Sequence, residues 1–449
     1  MAPMPRRGWI VRLIALLLAL LFLAGRAEAA GLLIIRDAET ETLLRTYAIP
    51  LYRAAGLPDR LVRIFLVEDP AINAFVAPGN RMFLNTGLIL RARDALEVIG
   101  VMAHETGHVA DGHLDFAPED RRAALLTSLA GLLIGAAAAA ASSNPQAAAA
   151  GILGGTSLAE RMGLATSRGR EEMADQAALD FLAANHWSAR GLLQLFETLR
   201  REERISSGRQ DPYLQNHPLT SARIAFVRHQ VALSRWSNAP LPRGWERRFA
   251  MVRAKLAGFL DPAAEVFRRY PATDHSNPAR YARAIARFRE GHIDAAVAGL
   301  DRLIARLPAD PYLYELKGQI LFEGSRPAAA LGPYREAVRL APTEPLIRTS
   351  LAQVMIALGT RPMLRAAAGA LETSIGQDAT DAFPWHELAI AQGRLGELGH
   401  ADLALAEEAL IAGRTGRARA LAGRALTRLR PGPSRQRALD IRATTTPAP

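Results

Sequence analysis

The sequence predicts a mainly α protein of the α+β type, in which an amino-terminal domain of helices around a small sheet is followed by a solenoid of stacked helix pairs. Three observations predict it. Across 94–112 the apolar positions Leu96, Ile99, Val101 and Met102 recur at helical spacing. Within 71–87 two short β-prone runs flank Pro78-Gly79-Asn80, the signature of a hairpin. Beyond residue 250, Asn277-Pro278, Asp310-Pro311 and Glu344-Pro345 recur at intervals of 33 and 34 residues, the period of stacked helix pairs.

The bulk numbers set the outer limits. With 449 residues and 49% hydrophobic content the chain can build two or three packed cores, which excludes a disordered protein. The formal charge is +11, yet Lys255 and Lys317 are its only lysines, and the arginines are scattered. A nucleic-acid surface needs a basic stripe with stacking aromatics or a recognisable motif, and neither is present, so nucleic acid is not an expected partner. Peripheral contact with an acidic membrane surface remains compatible with the charge. The absence of cysteine excludes disulfides and thiolate chemistry, so any metal must be held by His, Asp or Glu.

Arg6, Arg7 and Arg12 precede or open an apolar run from Leu13 to Ala24 that ends in Ala27-Glu28-Ala29. That order is the one of a secretory signal cleaved after Ala29. The competing reading, an uncleaved anchor from Trp9 to Gly25, is slightly short for a bilayer. Both readings export the body of the chain. Thr40 to Tyr52 reads as helix, and Val62 to Val67 as a short strand. Residues 123–142 carry no charge and are rich in Ala, Leu and Gly, and a second uncharged stretch follows at 147–158. We read them as a helical hairpin packed over the protein or resting on a membrane rather than spanning it.

In the carboxy-terminal half each prolyl dipeptide opens a run with a glycine near its middle, at Gly291, Gly324 and Gly359. Small residues at Ala295-Ala296, Ala328-Ala329-Ala330 and Ala366-Ala367-Ala368 fall where the second helix must approach the first. A degenerate fourth unit begins near Asp381 and includes Trp385 and Leu388. Proline is tolerated at the first turn because its missing N–H has no partner there anyway. The region resembles tetratricopeptide repeats over roughly residues 250 to 430; an ordinary helical bundle is the competing reading. The Pro-, Arg- and Thr-rich tail 431–449 reads as disordered.

The string that carries chemistry is His104-Glu105-Thr106-Gly107-His108. On a helix, positions four apart share a face, so both imidazoles can bind one cation while Glu105 reaches toward its bound water. Zinc suits that donor set and keeps one position open for catalysis, but it needs a third protein ligand. Glu171 in Ser167-Arg-Gly-Arg-Glu171-Glu-Met-Ala-Asp175 is the candidate. On a helix Glu171 and Asp175 lie one turn apart, so one carboxylate can bind metal while the other holds a ligand imidazole. Glu172 points about a hundred degrees away and is the weaker choice. Standing alone, the segment would read as a solvated, charged helix start; beside the histidine pair the ligand reading takes precedence.

Taken together, Asn73-Ala-Phe-Val-Ala-Pro-Gly, Asn85-Thr-Gly87-Leu-Ile, the His104 motif, Glu171-Glu-Met-Ala-Asp175 and Asn216-His217-Pro218 to Arg223-Ile224 resemble the M48 zinc metallopeptidases. The resemblance covers most of residues 60 to 430. It implies a zincin-like domain with one Zn2+ per chain, held by His104, His108 and Glu171, with Glu105 as general base on the zinc-bound water and Asp175 behind a ligand histidine. It further implies that an edge strand at Asn73, Ala74, Phe75 and Val76 aligns an extended substrate. His217 would be a fourth ligand at rest or steady the reacting carbonyl, and Arg223 would brace this region or the substrate carbonyl. His113 fits the family pattern but is too far round the helix to be a ligand. Gly169, Met173 and the alanine-rich 123–158 depart from that pattern without removing a catalytic group.

These readings divide the chain into a signal at 1–29, a metallopeptidase domain at 30–245, a repeat domain at 250–430 and a tail at 431–449. The expected function is a periplasmic zinc endopeptidase in quality control of exported or outer-membrane proteins. Its expected partners are unfolded or misassembled polypeptides and, through the repeats, the outer-membrane assembly machinery. The alternative is a repeat-based chaperone or adaptor whose metal site is held shut, and a third reading makes 123–158 the spans of an integral-membrane protease.

Overall fold

The computed structural model describes residues 32–112, 168–205 and 212–445. The signal at 1–29, His113 and the uncharged stretches between 123 and 158 lie outside them. The first helix, α1 (Ala38–Ala54), starts where the Asp37 side chain accepts from the Thr40 N–H, and Glu39 and Glu41 complement the positive end of its first turn. The sheet combines β1 (Ile34–Ile35), β2 (Arg63–Val67), β3 (Ala74–Ala77) and β4 (Arg81–Asn85) in the order β1-β2-β4-β3. β2 runs parallel to β4, and β3 antiparallel to it. The β3–β4 hairpin turns through Gly79 and Asn80, both left-handed at φ 84° and 54°, residue types that accept that conformation. The expected hairpin is therefore present, with β3 at a sheet edge.

A short helix, α2 (Thr86–Arg91), leads into α3 (Ala95–Ala110), which carries the histidine pair. Asp94 caps α3 by accepting from the Glu97 N–H. The helix over 168–184, α4, brings Glu171 and Asp175. It is followed by α5 (Arg190–Ile205), α6 (Pro212–Asn216) and α7 (Ser221–Leu233). α3 and α5 pack at backbone contact: a Cβ on Gly191 would stand 2.1 Å from the Leu96 carbonyl carbon, and one on Gly100 would stand 2.7 Å from the Leu192 nitrogen. Any side chain at either place would push the helix carrying the histidine pair out of register. One core joins α1, the sheet, α3, α5 and α7, with Tyr47, Leu66, Met82, Val98, Phe196 and Val227 fully buried. No helix among the described residues is long and apolar enough to cross a membrane.

The helix α8 (Trp245–Leu260) is shared between cores. Phe249, Val252 and Leu256 enter the first, whereas Met251 joins Tyr281, Leu300 and Leu316 of the repeats. After α9 (Ala263–Arg269) the predicted pairs follow: α10 (Asn277–Arg289) with α11 (Ile293–Ile304), α12 (Pro311–Glu323) with α13 (Pro327–Leu340), and α14 (Pro345–Leu358) with α15 (Arg361–Gln377). The fourth unit is α16 (Phe383–Leu395) with α17 (Leu398–Ile411), and α18 (Thr415–Leu426) packs on it. Proline occupies the first turn of α10, α12, α14 and α16. Ala296, Ala330 and Ala367 are fully buried, as the close approach of paired helices requires.

The tail differs from expectation. Instead of being disordered throughout 431–449, the chain forms α19 (Pro433–Thr444), with Ala438 and Ile441 buried against α17 and α18. Two apolar residues three apart suffice to cover the exposed flank of the last helix pair, a contact that composition cannot reveal.

The amino-terminal helix is tied to the repeats by buried charge. Lys255 on α8 lies 2.5 Å from Asp37, 3.5 Å from Glu39 and 3.8 Å from Glu315 of α12. Tyr281 donates to Glu39 at 2.9 Å, and Thr42 donates to Glu344 at 2.7 Å. Arg45 pairs with Glu344 at 3.0 Å, and Arg36 reaches Asp381 at 2.8 Å. One ammonium faces three carboxylates. Burial pushes Glu39 up to about 8 and Glu315 up to about 7; Lys255 pulls both the other way, and Asp37 and Asp310 add to the rise. Both values exceed the ordinary 4.5, so this contribution to stability is complete below about pH 4.5 and is lost as the pH rises through 7 to 8. In thermal unfolding between pH 6 and 9, a Glu39→Gln, Glu315→Gln protein should therefore lose less melting temperature than the parent, by roughly 2–5 °C. Parallel curves would refute the assignment.

Candidate metal centre

Four side chains from three segments meet under α3. His104 and His108 project from one face of α3, Glu171 from the first turns of α4, and His217 from the turn after α6. His104 Nε2 lies 3.2 Å from His108 Nε2, 3.3 Å from Glu171 Oε2 and 3.4 Å from His217 Nδ1. Glu171 Oε1 is 3.4 Å from His108 Nε2 and 3.2 Å from His217 Nδ1. A tetrahedral shell with zinc–ligand distances of about 2.0–2.1 Å has edges of roughly 3.3 Å. With Oε2 as the Glu171 donor, which lies 3.2 Å from His217 Nδ1, four of the six edges of this cluster match that length, so the donors fit such an ion. Neutral imidazole and carboxylate are also the donor types that zinc accepts.

The glycine inside the histidine motif makes the meeting possible. A Cβ on Gly107 would stand 3.0 Å from the Ala174 carbonyl oxygen and 3.1 Å from its Cα, so α3 and α4 touch there. Glu171 and Asp175 are buried on the face of α4 that meets α3, while Glu172 is exposed, as the helical wheel requires.

Beneath the donors lies a second layer of charge. His104 Nδ1 sits 3.0 Å from Asp175 Oδ1, which directs the ring's other nitrogen toward the cluster. Arg223, only 2% exposed, donates Nε and Nη2 to the two oxygens of Asp175 at 2.7 and 2.8 Å. Its Nη1 donates to Glu171 Oε2 at 2.8 Å and to the Pro218 carbonyl at 2.9 Å. The guanidinium also lies over the Phe196 ring, 5.1 Å from its centre. Thr220 places Arg223 by capping α7 through the Arg223 N–H. Arg223 is thus not a surface salt bridge but a buried brace under Glu171 and Asp175.

The electrostatics call for a cation. Burial alone would raise the Glu171 carboxyl, but hydrogen bonds from His104, His108 and His217 hold it well below the usual range. Asp175 is likewise held low against its burial by Arg223 and His104. Burial opposes charge on His104, yet Asp175 and Glu171 outweigh it and push the imidazole up to about 9. Burial brings His108 down to about 4, so its ring is neutral. Two carboxylates against one guanidinium leave a local excess of negative charge, which a divalent ion would neutralise in place of the His104 proton.

Glu105 is fully buried beside this cluster. Burial raises its carboxyl, partly offset by His217 and His104. Its oxygens make no hydrogen bond among the described residues, although Oε1 lies 3.3 Å from His217 Nε2. His217 therefore stands with one ring nitrogen toward the ligands and the other toward Glu105. The edge strand β3 packs against α3, with Asn73 immediately before it and Ala74, Phe75 and Val76 within it.

Sequence reasoning overlooked Tyr213 and Phe196. The Tyr213 ring lies 4.8 Å from that of His217 at 30°, and Phe196 lies edge-on to His104 at 6.5 Å. The four-residue spacing from Tyr213 to His217 was the available signal for the first. Nothing local pointed to the second.

Comparison with known proteins agrees with the geometry. Residues 36–231 match the model of Peptidase family M48. The chain is 26% identical over 387 residues to the beta-barrel assembly-enhancing protease of Escherichia coli (strain K12), covering 84% of this chain and 77% of that protein. It is 24% identical over 385 residues to the protein of the same name from Yersinia pestis, with the same coverage. Among solved structures, a crystal structure of MamA covers 36% of this chain and 91% of its own at 18% identity, with a TM-score of 0.29.

Asp175→Asn keeps the size of the side chain behind His104 but removes its charge. Metal affinity, measured by competition with a chromophoric chelator, should fall about 10–100-fold while circular dichroism stays unchanged. Undiminished affinity would remove Asp175 from the centre.

Proposed function

Because residues 36–231 match the model of Peptidase family M48 and the chain is similar to a named protease, we propose that it is a zinc-dependent endopeptidase of the cell envelope. The observation that carries this is the near-tetrahedral meeting of His104, His108, Glu171 and His217 with the Glu105 carboxylate beside it. Bound zinc would act there as a Lewis acid toward the peptide carbonyl and make a water acidic enough to attack at neutral pH.

The chain's own residues then have distinct tasks. The Glu105 carboxylate takes a proton from the attacking water and returns it to the leaving amine as the C–N bond breaks. His104, His108 and Glu171 hold the ion, Asp175 keeps the His104 Nε2 lone pair on it, and Arg223 keeps both carboxylates ionised. An extended substrate lies along the edge strand at Asn73 to Val76, where backbone hydrogen bonds align it irrespective of sequence. His217 is the fourth donor at rest. Since it stands against both the ligand atoms and Glu105, it must turn aside before water and a carbonyl can enter.

The metallopeptidase part would occupy 30–245 and the repeats 250–430. An export signal at 1–29 would put the mature chain in the periplasm, in peripheral contact with membrane. By analogy with relatives named for β-barrel assembly, the substrates are unfolded or misassembled polypeptides, and the repeats meet the outer-membrane assembly machinery. The position of His217 also favours a second reading, a repeat-based chaperone or adaptor whose metal site stays shut.

Glu105→Gln decides between them. It should retain one zinc per chain by elemental analysis and lose casein cleavage by a factor of about 10² to 10⁴. Cleavage at the parental rate would overturn the general-base role. Full rescue of outer-membrane assembly by Glu105→Gln, with none by a repeat-deleted chain, would establish the chaperone reading instead.

A further inference from the structure

Three phenylalanines cross the sheet on the face turned away from the core. Register pairs Phe65 of β2 with Phe83 of β4, and Phe83 with Phe75 of β3. The rings are nearly parallel: Phe65 and Phe83 lie 5.1 Å apart at 20°, and Phe75 and Phe83 lie 4.9 Å apart at 14°. Their neighbours along the strands, Ile64, Leu66, Ala74, Val76, Met82 and Leu84, point the other way into the core. The far end of this ladder is closed by the Arg63 guanidinium, 5.7 Å from the Phe65 ring centre. The near end is Phe75, half-buried on the edge strand, and among the described residues no other ring stacks on it.

A second observation marks the same edge. Asn73, which leads into β3, is 7% exposed, and its Oδ1 has no hydrogen-bond partner among the described residues. Its main-chain carbonyl already accepts from the Asn85 N–H at 2.9 Å, so the residue is fixed in place. A buried amide oxygen without a donor is costly unless something supplies one.

We infer that the Phe65–Phe83–Phe75 ladder is a specificity element that selects extended polypeptides bearing aromatic or large apolar side chains at alternate positions. A strand added beside β3 would sit about 4.8 Å away and set the side chain opposite Phe75 within roughly 5 Å of it. On that strand the residue opposite Phe75 continues the ladder, its neighbours two positions away share the same face, and those between them face the side where α3 packs. Parallel rings at this spacing favour a fourth ring, or a branched apolar chain, over a polar one. A period of two in apolar character is the pattern of a β-strand that covers one apolar surface. The selected clients are therefore segments built to become strands and not yet paired. This rests on the peptidase reading for the role of the edge strand, but not on catalysis.

The test uses the full-length Glu105→Gln protein with bound zinc and two fluorescent nonapeptides of one length and charge. One carries Phe at alternate positions, and the other carries Ser there. The Phe peptide should bind about tenfold tighter by anisotropy. Phe75→Thr in the same background should bring the ratio within about twofold, and Phe75→Tyr should preserve it. Phe75→Val serves should the threonine protein melt early. Equal binding of the two peptides, or a ratio indifferent to residue 75, overturns the inference and leaves the peptidase reading standing. A ratio that depends on residue 75, with no cleavage of either peptide by the parental enzyme, sinks the peptidase reading and keeps the ladder as a binding element.

Discussion

The site depends on one buried guanidinium holding two carboxylates. Arg223 contacts both oxygens of Asp175 and one oxygen of Glu171, and everything above them is arranged by those contacts. Ionised carboxylates are expensive to bury unless paired and hydrogen-bonded. With Arg223 in place, Glu171 can present an ionised oxygen to a cation and Asp175 can orient His104. Without it, two like charges one helical turn apart would repel and at least one would take up a proton. The arginine lies 48 residues after Asp175 in sequence. Its helix, α7, must therefore dock before the cluster and its supporting residues are assembled, so metal binding there would depend on the packing of the whole domain.

The same principle recurs at the other charged junction with the opposite balance. Around Lys255 three carboxylates share one ammonium, and burial drives two of them toward neutrality. At the metal centre the missing positive charge would come from a divalent ion. Between α1 and the repeats it comes from protons. The first arrangement creates affinity for a ligand; the second makes the junction between α1, α8 and α12 sensitive to pH. α8 takes part in both cores, so a change at that junction reaches the domain holding the site through packed side chains rather than through a flexible linker.

Much of this was legible in the chain because it depends on local periodicity. Histidines four apart on a capped helix, acids four apart on another and β-prone runs about Pro78-Gly79-Asn80 each follow from the geometry of a single element. The repeats were legible because a period of 33 to 34 residues is itself a structural unit. What escaped depends on contacts between distant residues. The ring of Phe196 against Arg223, the joining of Asp37 to Lys255 and the sharing of α8 between two cores leave no local trace. The tail failed for a related reason. Its composition suggested disorder, but Ala438 and Ile441 are ordered by a surface that α17 and α18 provide.

The arrangement about His217 carries a consequence for how such a site must work. The ring bridges the cluster atoms and Glu105, so under the proposed peptidase reading one side chain would cover both the position that a substrate carbonyl needs and the base that water needs. Tyr213 on α6 packs on the ring, and His217, just past the end of that helix, is followed at once by Pro218, whose carbonyl accepts from Arg223. Movement of His217 therefore disturbs the segment that anchors the brace under Glu171 and Asp175. A site closed in this manner opens only when incoming contacts outweigh that disturbance. Under the proposed reading, contacts along the Asn73 edge would be one such source, since binding there could be used to rearrange the centre. Under that reading, substrate selection and exposure of Glu105 would become one event.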